Sequence, residues 1–144
     1  MILTFSEPKF VNLLLKNIKG TTFRVDKTNR WKVGMIAHMW MHNPCNVRLN
    51  PHHIKNDTIY SIEYVLFIPI KGILKIYLDD TYTDIEITLS VKRQKNRLDG
   101  IARIDGFKDF AEMKEWFIKK GYTDPAGYRM KRLWFSGYFD NLPF

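Results

Sequence analysis

Apolar residues recur at helical spacing in two segments of the chain. The first segment covers residues 8–18, and its apolar positions are Phe10, Val11, Leu14, Leu15 and Ile18. Ser6 is placed to cap this helix and Gly20 to end it. The second helix opens at Asp105-Gly106-Phe107, ends at Gly121 and carries its apolar stripe at Phe110, Met113, Trp116 and Phe117. Three- and four-residue spacing is typical of amphipathic helices, so the pattern predicts two main helices.

The rest of the chain is rich in β-branched and aromatic residues. Strands are predicted over residues 2–5, 21–25, 35–41, 58–70, 72–78 and 85–89, with a hairpin at Lys71-Gly72 and a closing strand through Leu133, Phe135 and Phe139. Residues 42–57 contain two prolines and four asparagines without periodicity, which predicts a long loop. A basic loop is expected after Val91. Many strands with few helices favour an α+β domain with a largely closed, partly antiparallel sheet of about five to six strands.

Length and composition narrow the class of protein. The chain has 144 residues, which predicts a single domain over residues 1–144. Its single cysteine, Cys45, excludes an internal disulfide framework and multi-cysteine zinc motifs. No apolar run approaches the roughly 20 residues of a membrane span, and the chain begins without a basic and apolar leader. We therefore expect a cytoplasmic protein with no membrane partner.

The charge of the chain is strongly positive. Lysine and arginine number 23 against 15 acidic residues, for a net charge of +8, which favours a polyanionic partner. The cations fall into three clusters: residues 16–32; the group Lys92, Arg93, Lys95 and Arg97; and the group Arg129, Lys131 and Arg132. Each cluster alone is typical of a solvated surface. The second cluster is a candidate for contacts with nucleic-acid phosphates.

Histidines and the cysteine are candidates for metal binding or nucleophilic chemistry. They are His38, His42, Cys45, His52 and His53. Their spacing does not match the compact paired ligands of zinc sites, and Cys45 has no base at a diagnostic spacing. Phosphate-binding glycine loops and nucleophile elbows are also absent from the sequence. We predict no metal and no cofactor.

The segment Lys19-Gly20-Thr21-Thr22-Phe23-Arg24 is the most informative stretch. It enters a strand, and Thr22 and Arg24 would share one face of that strand because side chains alternate. Together with Lys19 they could hold a phosphate or polarise an acyl oxygen. An ordinary exposed basic turn is the alternative.

Two motifs in the chain resemble ASCH domains of the PUA-like superfamily. The family signature G-x-K-x-x-T-x-R after a helix is matched by Lys19, Thr22 and Arg24, with Asn17 in place of the leading glycine. The stretch A-R-I-D-G-F, followed by E-M-K-E-W-F, resembles the family's acidic turn and second helix. R-W-K-V-G-M and the terminal R-L-W-F-S-G-Y-F are similar to its strand entry and closing strand. Residues 41–99 match only in their β pattern.

The resemblance implies a PUA-like, partly closed β-barrel with two main flanking helices and a cleft for RNA or nucleotides. Some small members are amidohydrolases that deacetylate acetylcytidine. By position, Lys19, Thr22 and Asp105 match the catalytic lysine, threonine and acidic residue, and Arg24 matches the anion-binding arginine. Asp105 is one methylene shorter than the family's glutamate, and the loop of residues 42–57 has no counterpart in the smallest members.

The chemistry of such a cleft depends on the pKa of Lys19. A nucleophilic lysine needs its pKa lowered by burial or nearby cations, and Arg24 would help. Direct pairing with Asp105 would instead stabilise the ammonium. Lys19 would then polarise a carbonyl or phosphate, while Asp105 acts as the base. Asp105 also has a purely structural interpretation, as a residue that starts a helix.

Three functions follow from these observations. The first is an RNA- or nucleotide-binding domain that uses Lys19, Thr22, Arg24 and Asp105. The second is a hydrolase acting on a modified nucleoside, by amide hydrolysis, or on single-stranded RNA. The third is a non-catalytic protein-interaction module with an apolar patch near residues 128–138.

Overall fold

The computed structural model describes residues 1–77, 82 and 91–140, with residues 91 and 92 described by their backbone alone. Six strands and four helices follow in chain order: β1 (Ile2–Phe5), α1 (Pro8–Leu15), β2 (Thr21–Arg24), β3 (Ile36–Met41), β4 (His52–Ile68), β5 (Ile73–Tyr77), α2 (Val91–Ile104), α3 (Phe110–Lys119), β6 (Tyr128–Phe135) and α4 (Ser136–Asp140). The predicted α+β class is confirmed. The prediction of two main helices is wrong, because the described residues form four α-helices, of which the unpredicted α2 is the longest.

The strands form one mixed sheet in the order β1-β3-β4-β6-β2, and β5 pairs with β4 outside this path. The β1–β3 pairing is parallel and the others are antiparallel. Among the described residues no backbone pairing joins the terminal strands β1 and β2. One side chain does bridge them, since Arg24 Nη2 donates to the carbonyl oxygen of Thr4 at 2.8 Å. The two ends of the sheet therefore approach each other.

The strand β4 holds the sheet together because its two halves have different partners. Its first half pairs with β3 and its second half with β5 and β6, and the β6 register shifts between Ile59 and Ser61. The predicted loop over residues 42–57 is therefore wrong in its second part, which belongs to β4 from His52 onward. Polar residues are tolerated there because pairing with β3 satisfies the backbone groups while many side chains stay accessible.

Helices cover the sheet with the apolar faces that the sequence predicts. Helix α1 buries Phe10 and Leu14, and α3 buries Met113 and Phe117. Many aromatic side chains meet edge-on or tilted, as in the Phe10–Phe107 and Phe67–Phe117 pairs. Such contacts add roughly 0.5–1.5 kcal/mol per pair beyond the area that they bury. Phe117 of α3 also meets Phe23 of β2, with the ring centroids 6.4 Å apart, so this packing holds α3 against the sheet.

Helix α2 corrects the prediction of a basic loop after Val91. Lys92, Arg93, Lys95 and Arg97 all lie in this helix, although only the backbone of Lys92 is described. The apolar contacts of α2 come from its second half, where Ile101 and Ala102 are buried. Its first half shows no apolar period, but lysine, arginine and glutamine are good helix formers. The helix therefore extends well beyond its apolar stripe.

Asp105 does not start a helix, contrary to the prediction. It follows the end of α2, where its N–H donates to the Ile101 carbonyl at 3.2 Å, and Gly106 then adopts a φ of +98°. Glycine in this left-handed conformation commonly follows a helix. Helix α3 starts later, with Asp109 as its N-cap accepting from Glu112 N at 2.9 Å.

Smaller boundary predictions also change. Helix α1 ends at Leu15 because Asn17 has a φ of +56°, and its N-cap is Glu7 instead of Ser6. The closing strand ends at Phe135, so Phe139 lies in α4. The strand predicted over residues 85–89 lies outside the described residues. Within the described ranges no helix is long and apolar enough to cross a membrane.

Candidate functional site

The short connection between α1 and β2 delivers Lys19 into the interior. The left-handed Asn17 turns the chain, and Gly20 is then held from two sides. Its N–H donates to the Ile104 carbonyl at 2.8 Å, while its carbonyl accepts from Phe135 N at 3.0 Å. These bonds connect the end of α2, the start of β2 and the end of β6. Lys19, which precedes Gly20, is consequently placed beside the residue that follows α2.

That residue is Asp105, and it forms a buried ion pair with Lys19. Lys19 Nζ lies 3.2 Å from Asp105 Oδ1 and also donates to the Asp105 carbonyl at 2.5 Å. The Lys19 ammonium further lies 4.5 Å from the ring centroid of Phe10, a favourable position for a cation. Lys19 and Asp105 are therefore in contact, as predicted. The Lys19 ammonium is held by Asp105 and by the ring of Phe10.

Thr21 is a member of the site that sequence reasoning missed. Its Oγ1 donates to Asp105 Oδ1 at 3.1 Å, and the residue is fully buried. Asp105 Oδ1 therefore accepts from both Lys19 and Thr21, whereas Oδ2 accepts no hydrogen bond from the described residues. The motif match predicts a role for Thr22 instead. The only available signal was alternation, which sends adjacent residues of a strand to opposite faces.

Thr22 and Arg24 form a second pair on the other face of β2. Arg24 Nε donates to Thr22 Oγ1 at 3.2 Å. Because that bond uses a lone pair of the hydroxyl oxygen, the Thr22 O–H proton can be directed at a ligand. The Arg24 guanidinium also lies 5.0 Å from the ring centroid of Phe5. The predicted shared face of Thr22 and Arg24 is confirmed.

A pocket of about 540 Å³ is lined by four of the predicted site residues: Lys19, Thr22, Arg24 and Asp105. Aromatic side chains form much of the remaining wall, among them Trp31, Phe107, Trp116 and Tyr122. His42, Asn43 and Leu49 complete the wall from the loop between β3 and β4. This places part of the predicted loop of residues 42–57 at the pocket.

The interior shifts both partners of the ion pair toward their neutral forms. Burial lowers the pKa of Lys19 to about 8, opposed by the attraction of Asp105 and assisted by the Arg24 and Lys9 charges. Burial raises the pKa of Asp105, although the Lys19 charge and hydrogen bond favour the carboxylate. Burial also lowers the pKa of Arg24. Perturbed groups that share a pocket are a common mark of functional sites.

The predicted phosphate-binding cluster does not belong to this pocket. Arg93, Lys95 and Arg97 are exposed on α2 and none of them lines the pocket, while the side chain of Lys92 lies outside the described part of the chain.

The third basic cluster is mostly internal. Lys131 donates to Asp26 Oδ2 at 2.8 Å, and Arg132 donates to Glu63 Oε1 at 3.0 Å. Both residues are buried. The charges of Lys131 and Arg132 are therefore paired with carboxylates inside the fold and contribute little to a basic surface.

Two of the histidines share one asparagine as a partner. His38 Nδ1 and His53 Nε2 both contact Asn56 Oδ1, at 2.9 and 2.8 Å. In the described ranges, no group of three or more histidine, cysteine or acidic side chains is placed to hold a metal ion.

Comparisons with protein-family models, curated proteins and solved structures found no match to this chain, so the ASCH resemblance stays a prediction.

Proposed function

We propose that the pocket binds a nucleoside or nucleotide, either free or within RNA. The observation that carries this proposal is the convergence of Lys19, Thr22, Arg24 and Asp105 on one pocket. Its volume of about 540 Å³ falls within the roughly 300–1,000 Å³ of small-ligand sites. Two cations, one hydroxyl and one carboxylate can recognise a phosphate together with the polar edge of a base.

The aromatic wall supports a planar ligand. Trp31, Trp116 and Tyr122 line the same pocket as the charged residues. Base–aromatic stacking contributes about 1–3 kcal/mol per base, and arginine binds phosphate oxygens in a bidentate geometry. A nucleotide uses both kinds of contact, whereas a simple inorganic anion would leave the aromatic wall without a partner.

We also propose that the chain is an ASCH-like domain with a PUA-like barrel. The Arg24–Thr4 hydrogen bond supports the closure of the sheet, because it links the two terminal strands. Asn17 supports the motif match: its φ of +56° is a conformation that glycine adopts without strain and that asparagine tolerates. The substitution of the motif's leading glycine is therefore compatible with the same turn.

Calorimetry with cytidine 5′-monophosphate tests the binding proposal. We expect measurable binding by the wild type and at least a tenfold weaker affinity for Lys19→Ala and for Arg24→Gln. Lys27→Ala is the matched control, since Lys27 is exposed and does not line the pocket. Undetectable binding by a folded wild type, or equal binding by all four proteins, would reject the proposal.

Hydrolysis of an acetylated nucleoside is the second candidate function, and the pairing of Lys19 with Asp105 at the pocket favours it. With a pKa of about 8, Lys19 is mostly an ammonium at pH 7 that can polarise an amide carbonyl. Burial raises the pKa of Asp105, which makes its carboxylate a better proton acceptor for an attacking water. Asp105 would take a proton from water as the oxygen adds to the acetyl carbon. The amide C–N bond would then break as Asp105 returns that proton to the N4 nitrogen, which releases cytidine and acetic acid.

Incubation with N4-acetylcytidine and separation of the products tests this second function. We expect cytidine and acetate from the wild type and a loss of at least 100-fold in kcat for Lys19→Ala and Asp105→Ala. A short RNA assayed in parallel would reveal phosphodiester cleavage. If the wild type bound the nucleotide but hydrolysed neither substrate, only the binding function would remain.

No specific observation favours the protein-interaction module. The side chains of Tyr128, Trp134 and Tyr138 are half-buried, and Leu133 and Phe135 are buried. The apolar patch expected near residues 128–138 is therefore largely packed within the described fold.

A further inference from the structure

A second cavity lies between α2, α3 and the turn that follows β4. It has a volume of about 820 Å³, and five cationic side chains line it: Lys71, Lys95, Arg103, Lys108 and Lys114. We call it the basic groove. It shares no lining residue with the pocket around Lys19. Helix α3 separates the two sites, since Trp116 and Phe117 line the pocket whereas Phe110 and Lys114 line the groove.

The five cations of the basic groove have no carboxylate partner among the described residues. The two carboxylates in the groove instead bond backbone N–H groups at the start of α3. Asp99 Oδ1 accepts from Phe110 N at 3.0 Å, and Asp109 Oδ1 accepts from Glu112 N at 2.9 Å. The groove therefore has five cations and only two carboxylates, and both carboxylates already accept hydrogen bonds from the backbone.

The groove also has an apolar surface, formed by Leu98, Phe110 and Ala111. The ring of Phe110 stacks on the buried Phe67, with the ring centroids 6.0 Å apart, so this surface is anchored in the core. Cations beside a fixed apolar surface suit a ligand that alternates charged and uncharged groups. Residues 93–97 of α2 are exposed, and Arg97 continues the positive charge along the helix.

We infer that the basic groove binds the sugar–phosphate backbone of single-stranded RNA. Phosphates contact the lysine and arginine side chains, and sugars or bases cover Leu98 and Phe110. An acidic peptide fits less well. The groove is lined largely by helical residues, and an extended peptide gains most of its affinity by pairing with a strand edge. The concave shape also disfavours a lipid surface. The inference goes beyond the proposed function, because it assigns a second site independent of the pocket.

A pair of charge-reversal variants tests the groove. Lys95→Glu/Lys114→Glu changes two groove residues, and Lys27→Glu/Lys119→Glu makes the same charge change at exposed lysines that line neither cavity. The probe is a mixed-sequence single-stranded RNA oligonucleotide, measured by fluorescence anisotropy between about 50 and 200 mM salt. We expect the groove variant to bind at least tenfold more weakly than the wild type, and the control less than threefold.

The salt dependence provides a second readout. Each lost phosphate contact reduces the magnitude of the negative slope of log K against log salt by about 0.7 for single strands, so two lost contacts reduce it by about 1.4. If the charge reversal prevents folding, Lys95→Gln/Lys114→Gln removes the charges without introducing repulsion. Circular dichroism shows whether each variant is folded.

The inference would be overturned if the wild type did not bind RNA at about 50 mM salt, or if the groove and control variants lost equal RNA affinity. It would also be overturned if polyglutamate bound as tightly as RNA and its binding depended equally on Lys95 and Lys114. Binding of cytidine 5′-monophosphate to the groove variant separates the two proposals. Unchanged nucleotide binding with lost RNA binding assigns the RNA backbone to the groove. Failed nucleotide binding in every protein would reject the pocket proposal alone.

Discussion

Lys19 Nζ lies 3.2 Å from Asp105 Oδ1 although 86 residues separate the two in the chain, and their side chains are only 2% and 4% exposed. The pair joins the connection between α1 and β2 to the end of α2. Taking two charges out of water costs several kcal/mol per ion, which the attraction between them offsets only while both partners are present. The two residues therefore act as one unit, and removal of either charge leaves the other buried alone.

The variant Asp105→Asn tests this coupling. It keeps the shape of the side chain but leaves the Lys19 ammonium without its counter-ion, so we expect a loss of about 3 kcal/mol in the free energy of unfolding at pH 7. Urea denaturation measures it. Glu112→Gln is the matched control, because it breaks the exposed Lys9–Glu112 pair, whose side chains are 43% and 41% exposed. We expect a change below about 1 kcal/mol there.

A double variant completes this test. Lys19→Met/Asp105→Asn removes both charges, and we expect it to be less destabilised than the sum of the two single variants. Strict additivity of the single effects would contradict a direct interaction between Lys19 and Asp105.

Stability at alkaline pH should report the lowered pKa of Lys19. With a pKa of about 8 in the folded state and about 10.4 in the unfolded chain, the unfolded state binds more protons between these values. The free energy of unfolding therefore rises with pH across this window, by about 3 kcal/mol for this group. Below pH 8 its contribution is constant.

The measurement compares the wild type with Lys19→Met/Asp105→Asn, which lacks both ionisable groups. Denaturation curves at intervals from pH 7 to about pH 10.5 give the difference, in which other titrating side chains cancel. We expect the wild type to gain stability relative to the double variant as the pH rises. A constant or falling difference would show that Lys19 keeps an ordinary pKa in the fold.

The sequence was sufficient to predict the shared face of Thr22 and Arg24. Alternation along a strand depends only on local geometry, so it survives errors elsewhere. The apolar stripes of α1 and α3 were predictable for a similar reason, since their periods lie within one element. The meeting of Lys19 and Asp105 depends on tertiary packing, and it was predicted only through the resemblance to ASCH domains.

Three features could not be predicted because contacts distant in sequence create them. Helix α2 lacks an apolar period in its first half, and its position is fixed by packing of its second half and of α3. The strand start at His52 depends on pairing with β3, against the weak strand preference of the local polar residues. Thr21 was missed because its role requires knowing where Asp105 lies.

The backbone at Asn17 offers a test of the motif substitution. Its φ of +56° strains most residues by roughly 1 kcal/mol, whereas glycine accepts it. Asn17→Ala and Asn17→Gly both lose the hydrogen bond from Lys55 Nζ, which is 2.6 Å long. We therefore expect Asn17→Gly to be more stable than Asn17→Ala by about 1 kcal/mol in thermal or urea unfolding. Equal stabilities would mean that the left-handed turn is not required.

Gly20 is the residue where a single methyl group should disturb the site most. A Cβ at this position would lie 2.5 Å from Tyr138 Cγ, so we expect Gly20→Ala to lose about 2 kcal/mol of unfolding free energy through overpacking and to bind cytidine 5′-monophosphate more weakly. Gly100→Ala is the control: apart from its chain neighbours and the backbone of its own helix, no described atom lies within 4 Å of its Cβ, and alanine inside α2 should stabilise the protein by about 0.5–1 kcal/mol. Urea denaturation measures both. Adding Tyr138→Ala to Gly20→Ala should recover part of the loss, and if it does not, the ring is not the obstacle.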